Sequence, residues 1–261
     1  MTTANRGLQV VEKVGALLRA LGSAGRAGLT TSEAARRTGL PRPTTHRLLT
    51  ALAAQGLVDR QLATGDWHIG PELYLLGGAA ASRYDVTAHA RDILAGIAAQ
   101  TEESAYFSAA RGYESVCLLE EEGSFPLRSH VLHIGIRFPL GVASAGLAML
   151  AHLPPAEADA YLARVDLTRA WGRAHSRAAV RDRVIAGREL GYVVNPGLIV
   201  EGSWGIGAAV FDSTGRPAWA LSVTGVESRL RPPRQQEIGH LLLQHAHRLS
   251  QRLARRNGLA T

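Results

Sequence analysis

The sequence predicts an α+β protein with two parts: a small N-terminal domain of helices and a hairpin, and a larger mixed domain. Its length of 261 residues allows two domains of ordinary size. Helical periodicities followed by a short hairpin fill roughly the first 70 residues. The remainder has strand-like runs near both ends and helices between them, a pattern typical of a sheet covered by helices.

Composition excludes several classes of protein. Hydrophobic residues form 46% of the chain, yet no apolar run approaches the roughly 20 residues that span a bilayer, so we expect no membrane contact. The N-terminus lacks the cleavage-site pattern of a secretory signal. Cys117 is the only cysteine, which rules out an internal disulfide and a thiolate-rich metal site. These features together favour a cytoplasmic protein.

Basic charge is concentrated at the N-terminal end. Residues 1–85 carry ten basic and six acidic side chains, a net charge of +4, whereas the other 19 basic and 16 acidic residues give +3 over twice that length. Nearly all of the positive charge is arginine because Lys13 is the only lysine. Such an excess favours contact of the first domain with nucleic acid.

Two helices are predicted at the start of the first domain. Apolar residues over 8–21 recur at offsets of three and four, which makes one helical stripe that Gly22 ends. A short second helix follows, capped by Thr30 or Thr31 and stopped by Gly39.

A third helix opens within GLPRPTTHRLL, residues 39–49. Pro43 suits its first position, where a fixed φ helps and a missing N–H costs nothing, and Gly56 ends the helix. The next segment predicts a β-hairpin with strands over 58–62 and 67–69 around a turn-like ATGD. Helix, short helix, helix and hairpin, in that order, are typical of a winged helix-turn-helix.

The start of this third helix predicts a DNA-binding site. In a helix-turn-helix the second helix of the pair enters the major groove with its N-terminal residues facing bases and phosphates. Guanidinium forks, short hydrogen-bonding side chains and the helix dipole suit that contact. The candidate residues are Arg42, Pro43, Thr44, Thr45, His46 and Arg47, with Arg60 on the wing. The alternative is that Thr44 merely caps the helix and Arg47 is a solvated surface residue.

The second part of the chain is predicted to begin after two linker helices, over 71–84 and 86–100. We expect domain boundaries at 1–75 for the winged helix, 76–100 for the linker and 101–261 for the second domain. The elements expected there are strands within 104–121 and 126–140, helices over 144–152, 154–165 and 176–190, strands over 192–194, 205–211 and 218–224, and a helix over 233–256.

Along almost its whole length the chain resembles the IclR family of transcriptional regulators. The motifs that carry the likeness are GLPRPTTHRLLTALAAQGLVDR (39–60), WHIGPELYLLG (67–77), RFPLGVASAGLAMLAHLPP (137–155), RELGYVVNPG (188–197) and WGIGAAVFDSTGRPAWALSVTG (204–225). The resemblance implies a winged helix-turn-helix joined by a linker helix to a GAF-like α/β effector-binding domain. It also implies a homodimer or homotetramer on a roughly palindromic double-stranded DNA operator, modulated by a small organic or aromatic acid.

The resemblance further implies a set of ligand-binding residues, carried over motif by motif. They are Gly141, Val142, Ala143, Ser144, Asn195, Trp204, Gly205, Ser222 and Thr224. The chemistry agrees, because Ser222 and Thr224 lie two apart on one strand and so face the same side of the sheet. The small-residue loop GVASAG, which leads into a helix, can offer N–H groups to an anion. The alternative is that both hydroxyls are bonded within the protein.

Two positions depart from the family pattern. Many relatives have an acid where Asn195 stands and a cysteine where Gly205 stands. Loss of the acid removes a repulsive charge, and we expect the glycine to leave space next to Trp204. Both changes favour a ligand that differs from those of small-acid sensors and is bulkier.

The sequence motifs typical of enzymes are incomplete in this chain. GVASAG has Val142 where a nucleophile elbow around Ser144 needs its first glycine, and WGIGAAV has Val210 where a dinucleotide motif needs its third. The histidines lack partners at metal-ligand spacing. We expect no catalytic residues, no metal and no cofactor. The alternative function is a small-molecule hydrolase, or a ligand-binding protein that uses the C-terminal pocket without binding DNA.

Overall fold

The computed structural model of the chain describes residues 3–81 and 86–258, and these two ranges form two units. The division falls between residues 84 and 85, within the segment 76–100 that the sequence assigned to linker helices. The helix over 86–101 belongs to the core of the second unit. Residues 82–84, which the sequence assigned to the end of a helix, lie outside the described residues.

The first unit is a winged helix-turn-helix, as the sequence predicted. Its elements are α1 (Thr3–Ala24), a 3₁₀ turn (Gly25–Ala27), α2 (Thr31–Thr38), α3 (Arg42–Ala54), β1 (Val58–Arg60), β2 (Trp67–Ile69) and α4 (Pro71–Ala81). The α1 helix continues two residues past Gly22, where the sequence placed its end. The α3 helix begins at Arg42, so Pro43 occupies its second position and not its first.

Local sequence explains the turn between α2 and α3. The Thr30 hydroxyl accepts from the Glu33 N–H at 3.2 Å while the Glu33 carboxylate accepts from the Thr30 N–H at 3.0 Å, which forms a capping box at the start of α2. At the other end of α2, Gly39 adopts a φ of 67°, a left-handed conformation in which a side chain would cost energy. The predicted cap at Thr30 and the predicted stop at Gly39 are both confirmed.

The hairpin is fastened to the helices through Trp67. β1 and β2 are antiparallel, and the main chain of Trp67 also exchanges two hydrogen bonds, of 2.8 and 3.0 Å, with Leu29. The Trp67 side chain lies in the core beside Leu17 and Leu49. The wing is therefore part of the hydrophobic core and holds a defined position beside α3.

The second unit is a six-stranded antiparallel sheet covered by helices on both faces. Its elements are α5 (Val86–Thr101), β3 (Ser104–Arg111), β4 (Glu114–Glu121), β5 (Arg137–Pro139), α6 (Ser144–His152), α7 (Pro155–Arg164), α8 (Thr168–Trp171), a 3₁₀ turn (Arg173–His175), α9 (Arg177–Leu190), β6 (Tyr192–Pro196), β7 (Ser203–Phe211), β8 (Pro217–Val226), α10 (Glu227–Leu230) and α11 (Arg234–Gly258). The strand order is β5-β4-β3-β8-β7-β6. Of the strand expected over 126–140, only β5 pairs with the sheet.

Alternation along the strands divides the core into two layers. On β8, Ala220 packs in the cluster formed with α6, α7 and α9, whereas Leu221 and Val223 pack with α5 and α11 on the opposite face. Ile93 and Ile97 of α5 are almost fully buried in that second layer. This burial explains why α5 is part of the second unit.

Candidate DNA-binding surface and effector cavity

The N-terminus of α3 presents a cluster of exposed polar and basic side chains. Arg42, His46 and Arg47 are exposed together with Pro43, and Thr44 is half-buried. Together with Thr31 at the start of α2, three of these residues border a concave space of about 350 Å³. The first N–H groups of α3 have no partner within the helix, so they add positive potential to this surface.

Thr45 does not belong to that surface. Its side chain is fully buried, and its hydroxyl donates to the Pro41 carbonyl at 3.2 Å. It occupies a core position beside Leu49 on the buried side of α3. The prediction of Thr45 as a DNA contact is therefore wrong, because the helical rotation turns this one residue of the motif inward.

Arg60 is held in place on the wing. Its Nε donates to the Gly65 carbonyl at 3.2 Å, and its guanidinium carbon lies 5.4 Å from the centre of the Trp67 ring. The His46 ring meets the same indole edge-on, with 6.2 Å between ring centres. The Trp67 indole N–H donates to the Thr31 hydroxyl at 3.0 Å. Trp67 thus organises α2, α3 and the wing around one ring, a role that its position in a short strand did not reveal.

A small cavity lies in the second unit where the N-terminus of α6 meets the sheet. We call it the inner cavity, and its volume is about 20 Å³, roughly enough for one water molecule. Its lining residues come from the α6 start, from β6 to β8 and from two loops: Val131, Leu132, Ala143, Ser144, Asn195, Ile199, Ser203, Trp204, Gly205 and Thr224.

Six of the nine predicted ligand residues line this inner cavity, and three lie elsewhere. Gly141 adopts a φ of 91°, and a Cβ there would lie 2.9 Å from a methyl group of Val180, so it is a packing position. Val142 is fully buried in the core under α6, and Ser222 is fully buried deeper along β8.

Asn195 connects β6 to the loop before α6. Its Nδ2 donates to the Val142 carbonyl at 2.6 Å, and its Oδ1 accepts from the Leu198 N–H at 3.0 Å. Both ends of the amide are therefore engaged by the main chain. An aspartate would keep the second contact but place a negative charge against the Val142 carbonyl, so the asparagine has a structural reason independent of any ligand.

Gly205 gives no extra room next to Trp204. A Cβ at this position would lie 2.9 Å from the Ser144 hydroxyl oxygen, which means that Ser144 already fills the space. At Gly207 a Cβ would lie 2.8 Å from the Ser144 carbonyl oxygen. The two glycines let α6 approach β7 closely. The expectation that Gly205 leaves space for a bulkier ligand is therefore wrong for the inner cavity.

Two hydroxyls on β8 are buried. Ser222 and Thr224 lie on one face of the sheet, as predicted, and within residues 3–81 and 86–258 neither hydroxyl oxygen makes a hydrogen bond of standard geometry. Thr224 nevertheless lies beside the Tyr106 hydroxyl: burial raises the pKa of that group to about 12, whereas Thr224 lowers it, and the Tyr106 hydroxyl donates to Glu120 at 3.3 Å. The alternative of internal bonding therefore does not hold for Ser222, whereas Thr224 has Tyr106 beside it.

Donors also converge on the inner cavity from α6. The helix begins at Ser144 after Ala143, and among the described residues no side chain caps it. The first N–H groups of the helix have no partner within it, and the helix dipole favours an anion there. Thr224 lines the same cavity. Hydroxyl and N–H donors without a countercharge are suited to a carboxylate or another small anion.

Four lining residues escaped sequence reasoning. Val131 and Leu132 belong to the loop between β4 and β5, Ile199 belongs to the segment that links β6 to β7, and Ser203 is the first residue of β7. Neither segment has a periodic pattern, so only the folded chain brings them to the α6 N-terminus.

Fold and geometry define a class of protein, a winged helix-turn-helix unit combined with a sheet unit that contains a donor-lined cavity. Family models identify it further. The bacterial transcriptional regulator IclR C-terminal model matches residues 78–251, and the IclR helix-turn-helix domain matches residues 10–62. The chain belongs to the IclR family of transcriptional regulators, as its motifs indicated.

Individual relatives agree with this family. The chain is 29% identical to the HTH-type transcriptional regulator BhcR of Paracoccus denitrificans over 85% of its own length and 80% of that protein. It is 28% identical to the HTH-type transcriptional repressor AllR of Klebsiella pneumoniae, over 95% and 91% of the two chains. An IclR homologue from Microbacterium hydrocarbonoxydans, crystallised with 4-hydroxybenzoate, shares the fold with a TM-score of 0.74, at 23% identity over 94% of this chain and 98% of that one.

Proposed function

We propose that this regulator binds a roughly palindromic DNA operator through α3 and the wing, and that a small organic anion in the inner cavity changes its affinity for DNA. The observation that carries the DNA part is the convergence of exposed Arg42, His46 and Arg47 at the N-terminus of α3. Arg60 adds a cation on the adjacent wing. Thr45 is excluded from the proposed contacts.

Charge and geometry support specific roles for these residues. Arg42 and Arg47 can each donate two hydrogen bonds to a guanine or a phosphate. Thr44 can form a hydrogen bond with a phosphate or a base edge. Arg60 on the wing suits a backbone phosphate. In a homodimer or homotetramer the two recognition helices would read half-sites about 34 Å apart or a multiple of that distance. A protein that reads chromosomal DNA would act in the cytoplasm.

The anion proposal rests on the donors around the inner cavity. A buried hydroxyl without a partner costs folding free energy, and a ligand oxygen would satisfy it. The related protein crystallised with 4-hydroxybenzoate supports a carboxylate as the chemical class. Binding would regulate the protein by a difference in affinity between two arrangements of the two units.

A catalytic role for this site has little support. A nucleophile elbow holds its serine in a strained main chain, but among the described non-glycine residues only Glu102 has a positive φ. Burial raises the pKa of Cys117 to about 12, which keeps that thiol unreactive. Across residues 3–81 and 86–258 no three potential metal ligands cluster, and no helix there is long and apolar enough to cross a membrane.

Selection of bound duplexes from a random pool tests the DNA proposal. We expect an enriched palindrome whose affinity falls steeply between two salt concentrations, because arginines displace counterions from phosphates. If no sequence is enriched, the selection is repeated with a mixture of aromatic and aliphatic carboxylates. Enrichment only with the acids would mean that DNA binding requires the ligand, and failure in both arms would refute the proposal.

A further inference from the structure

We propose that the ligand site continues outward from the inner cavity into an apolar groove that takes the hydrocarbon part of an amphipathic carboxylate. This inference rests on the proposed function, because it assumes that the carboxylate end binds in the inner cavity. It adds the chemical nature of the remainder of the ligand and the residues that select it.

The outer groove lies between two loops of the second unit. It is lined by Leu127, Arg128, Ser129, His130 and Val131 of one loop, Val200, Glu201 and Gly202 of the other, Ser203 at the start of β7 and Val226 at the end of β8. Its volume is about 520 Å³, within the range typical of small-molecule sites. Leu127 and Val200 are 63% and 52% exposed there, so large apolar surfaces in a concavity face solvent.

The outer groove adjoins the inner cavity. Val131 and Ser203 line both spaces. The hydroxyl oxygens of Ser129 and Ser203 lie 2.5 Å apart, and this hydrogen bond joins the loop after β4 to the first residue of β7. A ligand that spans both spaces has to displace this hydrogen bond.

Charge decides which end of the ligand occupies which space. The cation that lines the outer groove, Arg128, is already paired with Glu122. Glu201 lines the groove as well and repels a carboxylate. The inner cavity instead offers the α6 N-terminus and the Thr224 hydroxyl. One carboxylate oxygen therefore belongs inside, in a space of about one water molecule, and the apolar chain belongs outside.

Calorimetry of the full chain with straight-chain carboxylates from acetate to octanoate tests this arrangement. Each methylene buried in the outer groove contributes apolar transfer free energy, so affinity should rise about threefold to fourfold per added carbon once the chain reaches the groove. A matched probe is 6-aminohexanoate, which ends in a charge. We expect it to bind more weakly than hexanoate, since its ammonium group would be desolvated against Leu127 and Val200 and the carboxylate of Glu201 offsets only part of that cost.

Three serine substitutions localise the effect. Leu127→Ser and Val200→Ser should reduce the gain in affinity per carbon, because they replace apolar walls with hydroxyls. Ile134→Ser is the control: Ile134 is 59% exposed on the same loop but lies outside the groove lining. This variant should retain the wild-type dependence on chain length.

The possible failures are distinguishable. If acetate binds, Thr224→Val weakens it and chain length has no effect, the outer-groove proposal is overturned while the anion site stands. If no carboxylate binds to a protein that still binds its selected duplex, the anion site and the groove proposal both fail. If Leu127→Ser and Val200→Ser change the sedimentation coefficient and leave the chain-length dependence intact, the groove is an interface between copies of the chain.

Discussion

Both units place a candidate site at the start of a helix, yet they use opposite chemistry. The start of α3 carries the exposed side chains of Arg42, His46 and Arg47, whereas the first turn of α6 is buried and built mainly from alanine, serine and glycine. Exposure to solvent explains this difference between the two sites. Water and salt screen exposed partial charges, so a surface that attracts a polyanion needs full charges. In a buried cavity an unpaired charge would cost too much, and N–H and hydroxyl dipoles suffice.

The two sites should therefore respond differently to mutation. Side chains at α3 point into solvent, so their removal should change DNA affinity with little effect on stability. At α6 the site depends on how closely the helix approaches the sheet, so substitutions there should affect stability and ligand affinity together.

The largest expected effect is on packing at α6. Gly207→Ala places a Cβ 2.8 Å from the Ser144 carbonyl oxygen, so α6 must shift away from β7. We expect a loss of about 3 kcal/mol in the free energy of unfolding, measured by urea denaturation. Gly96→Ala in α5 is the matched control, because its Cβ would meet only a side-chain atom at 3.9 Å. That variant should be unchanged or slightly stabilised, by up to about 1 kcal/mol. Equal effects at both positions would contradict the close-packing argument.

The next effect concerns the exposed site. Arg47→Ala should weaken binding to the selected duplex about 10- to 100-fold, because a guanidinium contact to a guanine or phosphate is lost. The unfolding free energy should change by less than about 0.5 kcal/mol, since Arg47 is exposed. Arg169→Ala, an exposed arginine of the second unit, should leave DNA affinity unchanged. Wild-type affinity in Arg47→Ala would remove this residue from the proposed contacts.

Thr224→Val should have opposite effects on stability and on ligand affinity. The substitution replaces a buried hydroxyl that makes no hydrogen bond of standard geometry, although it lies beside the Tyr106 hydroxyl, so we expect the unfolding free energy to rise by at most about 1 kcal/mol. Carboxylate affinity should fall about tenfold, because a hydrogen bond to the anion is lost. Thermal denaturation and calorimetry measure the two quantities. A destabilised variant would mean that the hydroxyl has a structural partner and is not held for a ligand.

The smallest effect is a pH dependence of the second unit. Burial lowers the pKa of His152, His175 and His245, so their folded forms resist protonation. Below the unfolded value of about 6.5 the unfolded chain binds protons that the folded chain does not, so stability falls as the pH decreases. Urea denaturation at pH 7.5 and pH 5.5 measures this loss. His245→Leu should reduce it, and an unchanged difference would exclude His245 as a contributor.

Sequence reasoning succeeded where a local signal was strong. The cap at Thr30, the left-handed turn at Gly39 and the hairpin before Gly70 are confirmed because each depends on neighbouring residues. It failed at Thr45, since the same Thr-Thr pair is consistent with either residue facing out, and only the packing of α3 against the core decides. It failed at Gly205 because the neighbour that fills the space, Ser144, is distant in sequence.

By itself the sequence determined most helices and strands, the family and the basic residues at the start of α3. These properties depend on short periodicities and motifs. Tertiary structure alone decided the closeness of α6 to β7, the engagement of Asn195 by the main chain, and the inner cavity with its outer groove. The physical reason is the distance along the chain over which each interaction acts. Capping and helical periodicity act over a few residues, whereas a cavity is the space left by segments that meet only after the chain has folded.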